Sequence, residues 1–278
     1  MRTTDHLRGG LLSLPAFTLF ALFFIAPLTT LFVTALQEPL AALGRLADNT
    51  LLLDSILTSV ALAVSAALIS VVAGLAISEF LHRQPPLRRL ILLSLISLPL
   101  VFSGIIVAYG FILMLGRAGF VTLSLAELGV DPGWFGHLVY TPRGLAFVYC
   151  YYLIPRAVMI ILPVLQRFDR CQLTLAASLG ASRHRRLLDI YLPQLAPTLM
   201  SAFSLCAAVA FGAYGTALAL TGSQINILPI LLNSEISDAG SDIPVVALMS
   251  MLMMALCLLL TLPGAWLRRR QRWRTVAG

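Results

Sequence analysis

The stretch DRCQLTLAASLGASRHRRLLDIYLPQLAP, residues 169–197, is a polar, arginine-rich segment that lies between two long apolar runs. Its pattern predicts two short helices around a turn. Asp169 can cap the first helix, because its carboxylate accepts a free backbone N–H, and Gly180 favours the end of that helix. Ser182 can cap the second helix, which the two following prolines are expected to close. A structured basic segment in so apolar a chain indicates a surface that docks onto a partner.

The composition of the chain is that of a membrane protein. Of its 278 residues, 59% are hydrophobic and 11% are charged, and the mean hydropathy is +0.92, whereas a soluble domain carries about 25% charged residues. Apolar runs of about 20 residues recur along the chain, long enough for helices that cross a bilayer. We therefore predict an all-α, polytopic membrane protein of about six transmembrane helices, forming a single domain over 1–278. The expected spans are 11–36, 51–81, 90–115, 144–165, 198–220 and 244–267.

The basic residues predict the orientation of these spans. The net charge is +7, and all 19 basic residues are arginine. They cluster in the N-terminal head, between the second and third spans, in 169–197 and in the C-terminal tail, whereas the opposite loops carry only Arg45, Arg117 and Arg143. Because cytoplasmic loops are enriched in basic residues, both termini and 169–197 are expected in the cytoplasm. This clustering beside the ends of spans also argues against nucleic acid as the partner of a basic chain.

The sequence contains no catalytic or metal-binding pattern. It lacks the G-x-x-x-x-G-K-[ST] phosphate loop, so the chain is expected neither to hydrolyse ATP nor to act as an enzyme. Its four cysteines and four histidines lack ligand spacing, which predicts neither a metal site nor a disulfide framework. Two other classes remain open: a transporter or channel that works without ATP, and a membrane-embedded enzyme or assembly factor. The scarcity of acids within the spans argues against ion coupling in the first class.

Polar side chains within the spans are candidates for a translocation path. Arg156 lies inside the fourth span, about 15 Å along the helix from its end, and a charge at that depth suggests a function. It could line a path, attract an anion or pair with another subunit, while snorkelling to the headgroups is the alternative. The third and fifth spans contribute small and polar residues, which serve close helix packing equally well. The path candidates are Ser103, Tyr109, Arg156, Tyr214 and Thr216.

Segment 169–197 resembles the EAA loop in permease subunits of type I ABC importers. That loop reads approximately Glu-Ala-Ala, three residues, Gly-Ala, a polar helix, then Ile-x-Leu-Pro and a second proline. The positions that stand at the family spacing are Gly180-Ala181, Ile190-Tyr191-Leu192-Pro193 and Pro197. Within the Glu-Ala-Ala triplet only Ala176 matches, and Thr174 stands where the family has glutamate.

The resemblance implies the fold, the partners and the energy source of such a permease. A cytoplasmic ABC ATPase dimer would bind ATP and magnesium, while this chain would bind no cofactor. A second permease subunit, identical or paralogous, would complete the pathway in the inner membrane, and a periplasmic solute-binding protein would deliver the solute. The most similar branch serves polyamines, ferric iron, phosphonates, sulfate or thiamine, among which a polyamine or a phosphonate is favoured. The residues expected to couple to the ATPase are Ala176, Ala177, Gly180, Ala181, Arg183, Leu192 and Pro193.

Overall fold

The computed structural model describes residues 15, 17–129, 131–169, 171–222, 224–237 and 242–276, with side chains up to 267 apart from those of 47 and 48. Within these ranges the chain is helical and contains no strand. The start of the predicted first span, 11–14, and the N-terminal head with its two arginines lie outside the described residues.

The described helices follow one another with short connections. In chain order they are α1 (Phe17–Ala35), α2 (Pro39–Asp48), α3 (Thr50–His82), α4 (Pro86–Ser97), α5 (Gly104–Leu115), α6 (Phe120–Glu127), α7 (Pro132–His137), α8 (Pro142–Arg167), α9 (Cys171–Ser178), α10 (Arg183–Phe211), α11 (Tyr214–Thr221), α12 (Leu228–Ser237) and α13 (Ile243–Val276).

Six helical segments of the described chain are long and apolar enough to cross a membrane, as the composition predicts. They are Phe17–Ala35, Thr50–His82, Gly104–Glu127, Pro142–Arg167, Arg183–Phe211 and Ile243–Leu267. Helices of this kind satisfy their own backbone groups, which lipid cannot do for them. The all-α membrane fold is therefore confirmed.

Two of the predicted spans are broken. The run 90–115 predicts one helix, but it contains α4, a 3₁₀ turn at Leu98–Leu100 and α5, with extended backbone at Ser103. The run 198–220 is interrupted between α10 and α11, where Gly212 ends α10. Pro99 lacks the N–H that continues a helix, and glycine is the residue that most readily ends one. Both breaks therefore follow from residues that a count of apolar side chains ignores.

The prediction that two prolines close the second helix of segment 169–197 is wrong. Helix α10 continues through Pro193 and Pro197 towards Phe211. Residues Arg186–Tyr191 form a π-helical turn, and Pro193 stands in the first turn of the α-helical stretch that follows. The missing N–H of a proline is tolerated at such a position. The segment therefore passes into the fifth span as one helix.

The described residues group into two compact units. The first unit holds those of Met1–Leu52 and Leu231–Ala255, and the second holds those of Leu53–Ile230 and Leu256–Gly278. Within the first unit, Arg45 Nε lies 2.9 Å from Asp242 Oδ2, and Asn49 donates a 3.3 Å hydrogen bond to Glu235. These polar contacts join α2 and its C-cap to the second stretch of the unit. The single domain over 1–278 stays a prediction.

Helix α8 forms the core of the second unit. Twelve of its side chains are buried, including Tyr149, Leu153 and Leu165. Small residues bring its neighbours close, as in membrane helix pairs generally: a Cβ added to Gly74 of α3 would lie 2.7 Å from the Cβ of Ala157. This unit contains both places where the sequence predicts function, segment 169–197 and the polar residues within the spans.

Candidate functional site

Side chains cap both helices of segment 169–197, as the sequence predicts. The Asp169 carboxylate accepts the N–H of Cys171 at 2.9 Å, at the start of α9. The Ser182 hydroxyl accepts the N–H of Arg185 at 3.4 Å, at the start of α10. Both contacts satisfy backbone donors that no helical carbonyl can reach. The segment is therefore a folded element with defined ends.

Gly180 makes the turn between α9 and α10. Its φ is +82°, in the left-handed region that residues with a Cβ resist. The Gly180 N–H donates to the Ala177 carbonyl at 3.0 Å, and the Ala181 N–H donates to the Ala176 carbonyl at 2.9 Å. These two bonds form a Schellman motif, which satisfies the last carbonyls of α9. The turn expected at Gly180 is present, and its geometry requires glycine.

Helix α9 exposes an apolar surface. All residues of Cys171–Ser178 are described, and none of them is buried. Leu175 is 59% exposed, and Leu179, one turn later, is 87% exposed. Residues at i and i+4 share one helix face, and an exposed apolar face among polar residues indicates a surface for another protein. Sequence reasoning did not select Leu179, although its spacing from Leu175 would have revealed it.

The seven residues predicted to couple lie in two places. Five of them, within 176–183, form the end of α9, the turn and the exposed start of α10 at Arg183. Leu192 and Pro193 lie farther along α10, beyond the π-helical turn. The segment therefore presents one compact surface around the turn and a separate helical stretch behind it.

Contacts between its two ends fix the segment. The rings of Phe168 and Tyr191 meet edge to face with centroids 5.3 Å apart, a favourable aromatic arrangement. Gln194 donates a 2.6 Å hydrogen bond to the side chain of Gln172. The chain entering the segment is thus held against the helix that leaves it.

Tyr191 also ties the segment to α3. Its hydroxyl donates a hydrogen bond to the carboxylate of Glu79, near the C-terminal end of α3. The other oxygen of Glu79 lies 3.8 Å from Arg83, one turn along the same helix. A cavity of about 440 Å³ lies beside these residues, lined by Leu75, Glu79, Arg83, Leu173, Arg183, Arg186, Leu187 and Tyr191. A movement of α9 and α10 would therefore reach the end of α3 directly.

A second cavity lies at the two breaks within the apolar runs. Its volume is about 410 Å³, and it opens between the start of α5, the end of α10 and the start of α11. Its lining residues are Pro99, Leu100, Phe102, Ser103, Gly104, Ile105, Tyr152, Arg156, Val209, Gly212, Ala213, Tyr214, Gly215 and Thr216. We call it the central cavity.

Arg156 brings a positive charge to the central cavity. Among the described residues, it is the only charged one that lines the cavity. Its Nη1 atom is buried and has no hydrogen-bond partner in the described part of the chain. A buried guanidinium donor without a partner is costly, so its retention within an apolar helix indicates a ligand or subunit that completes it.

The starts of α5 and α11 meet at the central cavity. A Cβ added to Gly104 would collide with Thr216 Oγ1, and one added to Gly215 would lie 3.0 Å from the side chain of Ile105. Neither helix start receives a side-chain cap from a described residue. The Tyr214 N–H at the start of α11 donates to the carbonyl of Gly212 at 2.9 Å, whereas no helical carbonyl precedes the first N–H groups of α5. Glycine at 104 is what allows this approach.

Tyr149 stabilises the break between α10 and α11. Its ring is fully buried, and its hydroxyl donates a 3.0 Å hydrogen bond to the carbonyl of Ala213. A carbonyl released at a helix break needs such a donor in an apolar surrounding. Sequence reasoning missed this residue, since nothing in the sequence pairs Tyr149 with a position 64 residues away.

The structure brings together four of the five path candidates. Ser103, Arg156, Tyr214 and Thr216 all line the central cavity, whereas Tyr109 is 57% exposed and does not. Tyr152 also lines it and was not selected, although it lies one helical turn before Arg156. That i, i+4 spacing is the signal that could have found it.

Two serines among the small and polar residues of the predicted fifth span serve helix packing. The Ser204 hydroxyl accepts the N–H of Gly264 in α13 at 3.0 Å, and the Ser201 hydroxyl donates to the carbonyl of Pro197 at 2.7 Å. A Cβ on Gly264 would lie 2.8 Å from the Ser204 hydroxyl. Both serines are buried against α13, as the packing interpretation of small residues predicts.

The arrangement suits binding more than bond-making chemistry. Among the described residues, no three side chains of His, Cys, Asp or Glu lie close enough to hold a metal ion. The central cavity instead combines a guanidinium, the starts of two helices and hydroxyl groups.

A family model supports this interpretation. The model of the "Binding-protein-dependent transport system inner membrane component" matches residues 70–273. The chain belongs to this family. The family resemblance inferred from segment 169–197 is confirmed with it, and the protein is a multi-pass permease component of an ABC importer in the inner membrane.

Individual relatives agree with the family. The chain is 27% identical over 259 residues to the probable sulfate transport system permease protein cysT of Nephroselmis olivacea, covering 89% of this chain and 86% of that protein. It is 28% identical over 206 residues to the thiamine transport system permease protein ThiP of Haemophilus influenzae, covering 74% and 38%. It is 28% identical over 170 residues to the spermidine/putrescine transport system permease protein PotB of Escherichia coli, covering 61% of each.

A solved structure shares the fold. A chain of the bacterial alginate ABC transporter, in complex with its alginate pentasaccharide-bound periplasmic protein, matches with a TM-score of 0.77 and 16% identity. The match covers 96% of both chains. The architecture of the permease is therefore that of an ABC importer subunit over almost its whole length.

Proposed function

We propose that segment 169–197 couples this permease to a cytoplasmic ABC ATPase dimer, on which ATP and magnesium bind. The observation that carries the proposal is the exposed apolar face of α9, with Leu175 and Leu179 at its centre. This face is held rigid by two caps and a Schellman turn, so it can transmit force without deforming. The basic residues beside this face, including Arg183, would attract acidic residues at the edge of the ATPase surface.

The orientation that the arginines predict places this face in the cytoplasm together with both termini. In this arrangement a second permease subunit, identical or paralogous, completes the translocation pathway. A periplasmic solute-binding protein delivers the solute from the opposite side. The alginate transporter structure, which includes a periplasmic protein, supports such a partner for the same fold.

Helix α10 provides the mechanical connection in this mechanism. It runs without a break from Arg183 in the coupling segment to Phe211 beside the central cavity, over 29 residues. At about 1.5 Å per residue it spans about 43 Å. Closure of the ATPase dimer would displace its first turns, and a rigid helix carries that displacement to the cavity. Alternating access then requires two packings of the helices around the cavity with similar free energy.

The solute is a small one that passes through the central cavity. The relatives' names refer to sulfate, thiamine and spermidine or putrescine, so the likeness alone does not choose among them. A polyamine and a phosphonate are the two classes that the sequence favours.

The experiment that tests the coupling proposal is mild extraction of the tagged chain from its native membrane, followed by mass spectrometry of copurifying proteins. We expect an ABC ATPase and a second permease subunit with the wild-type chain. In the variant Gly180→Val the ATPase should be lost, because a β-branched residue resists the φ of +82° at this turn.

The matched control is Gly44→Val, since nothing lies within 4 Å of the Cβ that this change adds and the backbone there is ordinary helix. This variant should retain the ATPase. Equal recovery of the ATPase with both variants would contradict the coupling assignment. A wild-type chain that purifies alone in several mild detergents, and that takes up solute without ATP, would favour an ATP-independent transporter.

A further inference from the structure

We propose that the central cavity is a binding site for a small oxyanion such as a sulfate, phosphate or phosphonate group. The ligands are the guanidinium of Arg156 and the backbone N–H groups at the starts of α5 and α11 that no helical carbonyl accepts, apart from that of Tyr214, which donates to the Gly212 carbonyl at 2.9 Å. The proposal rests on the proposed function in one respect, that the bound anion is the transported solute. Binding itself can be measured without transport, so the two can fail separately.

The first argument is the charge and the unused donor of Arg156. The residue lines the cavity, and its Nη1 atom is buried without a partner among the described residues. A guanidinium presents several N–H donors in one plane, which matches the spacing of oxygens in a tetrahedral or planar oxyanion. An oxyanion bound by the guanidinium would therefore neutralise a charge that lies within a membrane-spanning helix.

The second argument is the convergence of two helix starts on the same cavity. Helix α5, with 12 residues, begins at Gly104, and α11, with 8 residues, begins at Tyr214. Residues at both starts line the cavity, and neither start has a side-chain cap among the described residues. A helix N-terminus carries about half a positive charge and free N–H groups, which together favour anions. Broken helices present their N-terminal ends to anionic groups in this way in other transporters.

The third argument is the chemistry of the remaining residues that line the cavity. Hydroxyl groups of Ser103, Tyr152, Tyr214 and Thr216 can donate to an anion. Among the described residues, no carboxylate lines the cavity to pair with a cation. A polyamine would meet an arginine and two positive helix ends without a counter-charge. The sequence favours two classes of solute, a polyamine and a phosphonate, and the geometry of the cavity therefore favours the anionic one.

The test uses charged thiol reagents in the assembled transporter, purified with its partners. The change Ser103→Cys places a thiol in the cavity, since Ser103 is an exposed residue of its lining. The two native thiols that are not buried are removed by Cys171→Ser and Cys257→Ser, whereas Cys150 and Cys206 are buried. Rates are measured with a sulfonate-bearing and a trimethylammonium-bearing methanethiosulfonate of similar size. The same two rates at a thiol introduced by Leu128→Cys, at a position 80% exposed outside segment 169–197, provide the reference.

A positive cavity should raise the anionic-to-cationic rate ratio about tenfold or more over the ratio at the Leu128→Cys thiol, the effect expected of a charged cleft. Arg156→Gln should lower the ratio most of the way to the reference, and Arg156→Lys should retain it. The matched control is Arg143→Gln, an exposed arginine at the start of the same helix α8, which should leave the ratio unchanged. An equal ratio at both thiols, or a preference for the cationic reagent in the cavity, would overturn the proposal.

Protection by ligands gives a second measurement, which needs no arginine variant. Sulfate or methylphosphonate at millimolar concentration should slow modification at position 103, whereas spermidine should not. Protection by spermidine alone, or by none of the three, would contradict an oxyanion site. Modification at position 103 could instead become slower as the nanodisc contains more anionic lipid, with no effect of added sulfate. In that case the site binds a lipid headgroup, and the proposal that the anion is the solute is wrong. Failure of an ATPase to copurify would count against the coupling proposal alone.

Discussion

The hydroxyl of Tyr191 donates a hydrogen bond to the carboxylate of Glu79, which lies 112 residues earlier in the chain. Tyr191 ends the π-helical turn at the start of α10, and Glu79 lies near the end of α3. The bond therefore connects the proposed coupling segment to a second membrane-spanning helix in addition to its own. A displacement caused by the ATPase would reach two helices at once.

We expect Tyr191→Phe to weaken this connection while keeping the ring contact with Phe168. Loss of one hydrogen bond of this kind lowers the free energy of unfolding by about 1 kcal/mol. As a functional consequence, we expect more ATP to be hydrolysed for each solute molecule transported, because the ATPase still docks but moves α3 less effectively. The measurement is the ratio of ATP hydrolysed to solute taken up in proteoliposomes.

Tyr151→Phe is the control for this variant. Tyr151 is 41% exposed, and its ring would keep its contact with Phe111. The same ratio of ATP to solute in both variants would show that the bond between Tyr191 and Glu79 does not transmit coupling.

The variant Leu179→Gln should weaken association with the ATPase without altering the fold. Leu179 is 87% exposed, so its replacement removes little from the isolated chain. Full burial of a leucine in an interface contributes about 1.5–3 kcal/mol, which corresponds to about 10- to 100-fold in the dissociation constant. Binding of the purified ATPase to permease in nanodiscs measures this directly. Leu128→Gln, at a position 80% exposed outside the segment, should bind the ATPase normally; a Leu179 variant that also binds normally would remove this leucine from the interface.

The close approach of α5 and α11 predicts a double-mutant effect. Gly104→Ala should destabilise the permease by about 1–3 kcal/mol, because its new methyl group collides with Thr216 Oγ1. Thr216→Ala removes that oxygen, so the double variant should recover part of the loss. Thermal unfolding of the four proteins in one detergent gives the interaction energy. Simple addition of the two single effects would mean that the helices separate easily at this point.

Ser204→Ala distinguishes helix packing from a role in the pathway. The Ser204 hydroxyl accepts the N–H of Gly264, and polar contacts between membrane helices contribute about 0.6 kcal/mol on average. We expect a small decrease in thermal stability and an unchanged preference among sulfate, methylphosphonate and spermidine in uptake assays. A changed preference at constant stability would place Ser204 on the pathway despite its contact with α13.

Local rules predicted the parts of the fold that depend on neighbouring residues. The cap at Asp169, the turn at Gly180 and the cap at Ser182 each depend on a side chain and a backbone group within a few residues. The number of spans also followed from composition, because length and apolarity alone decide it.

The failures have a common physical origin in contacts between distant positions. Pro193 was expected to end a helix, but a π-helical turn before it provides the place where its missing N–H is harmless. The break at Gly212 is stabilised by partners on another helix, such as the Tyr149 hydroxyl, which donates to the Ala213 carbonyl. No pattern within one span reports these partners, so the central cavity could be assembled only from the folded chain.

The two helix breaks also have an electrical consequence. Backbone N–H groups at a helix start that lack a helical acceptor, such as those of α5, cannot face hydrocarbon, so we expect water to fill the central cavity whenever a ligand does not. Water at this depth shortens the insulating layer that separates the two sides of the membrane, and the same gap offers a route for protons and small ions. The permease must therefore keep one end of the cavity sealed in every state of its cycle. Variants around the breaks are constrained by the ion leak they permit as well as by the solute they carry.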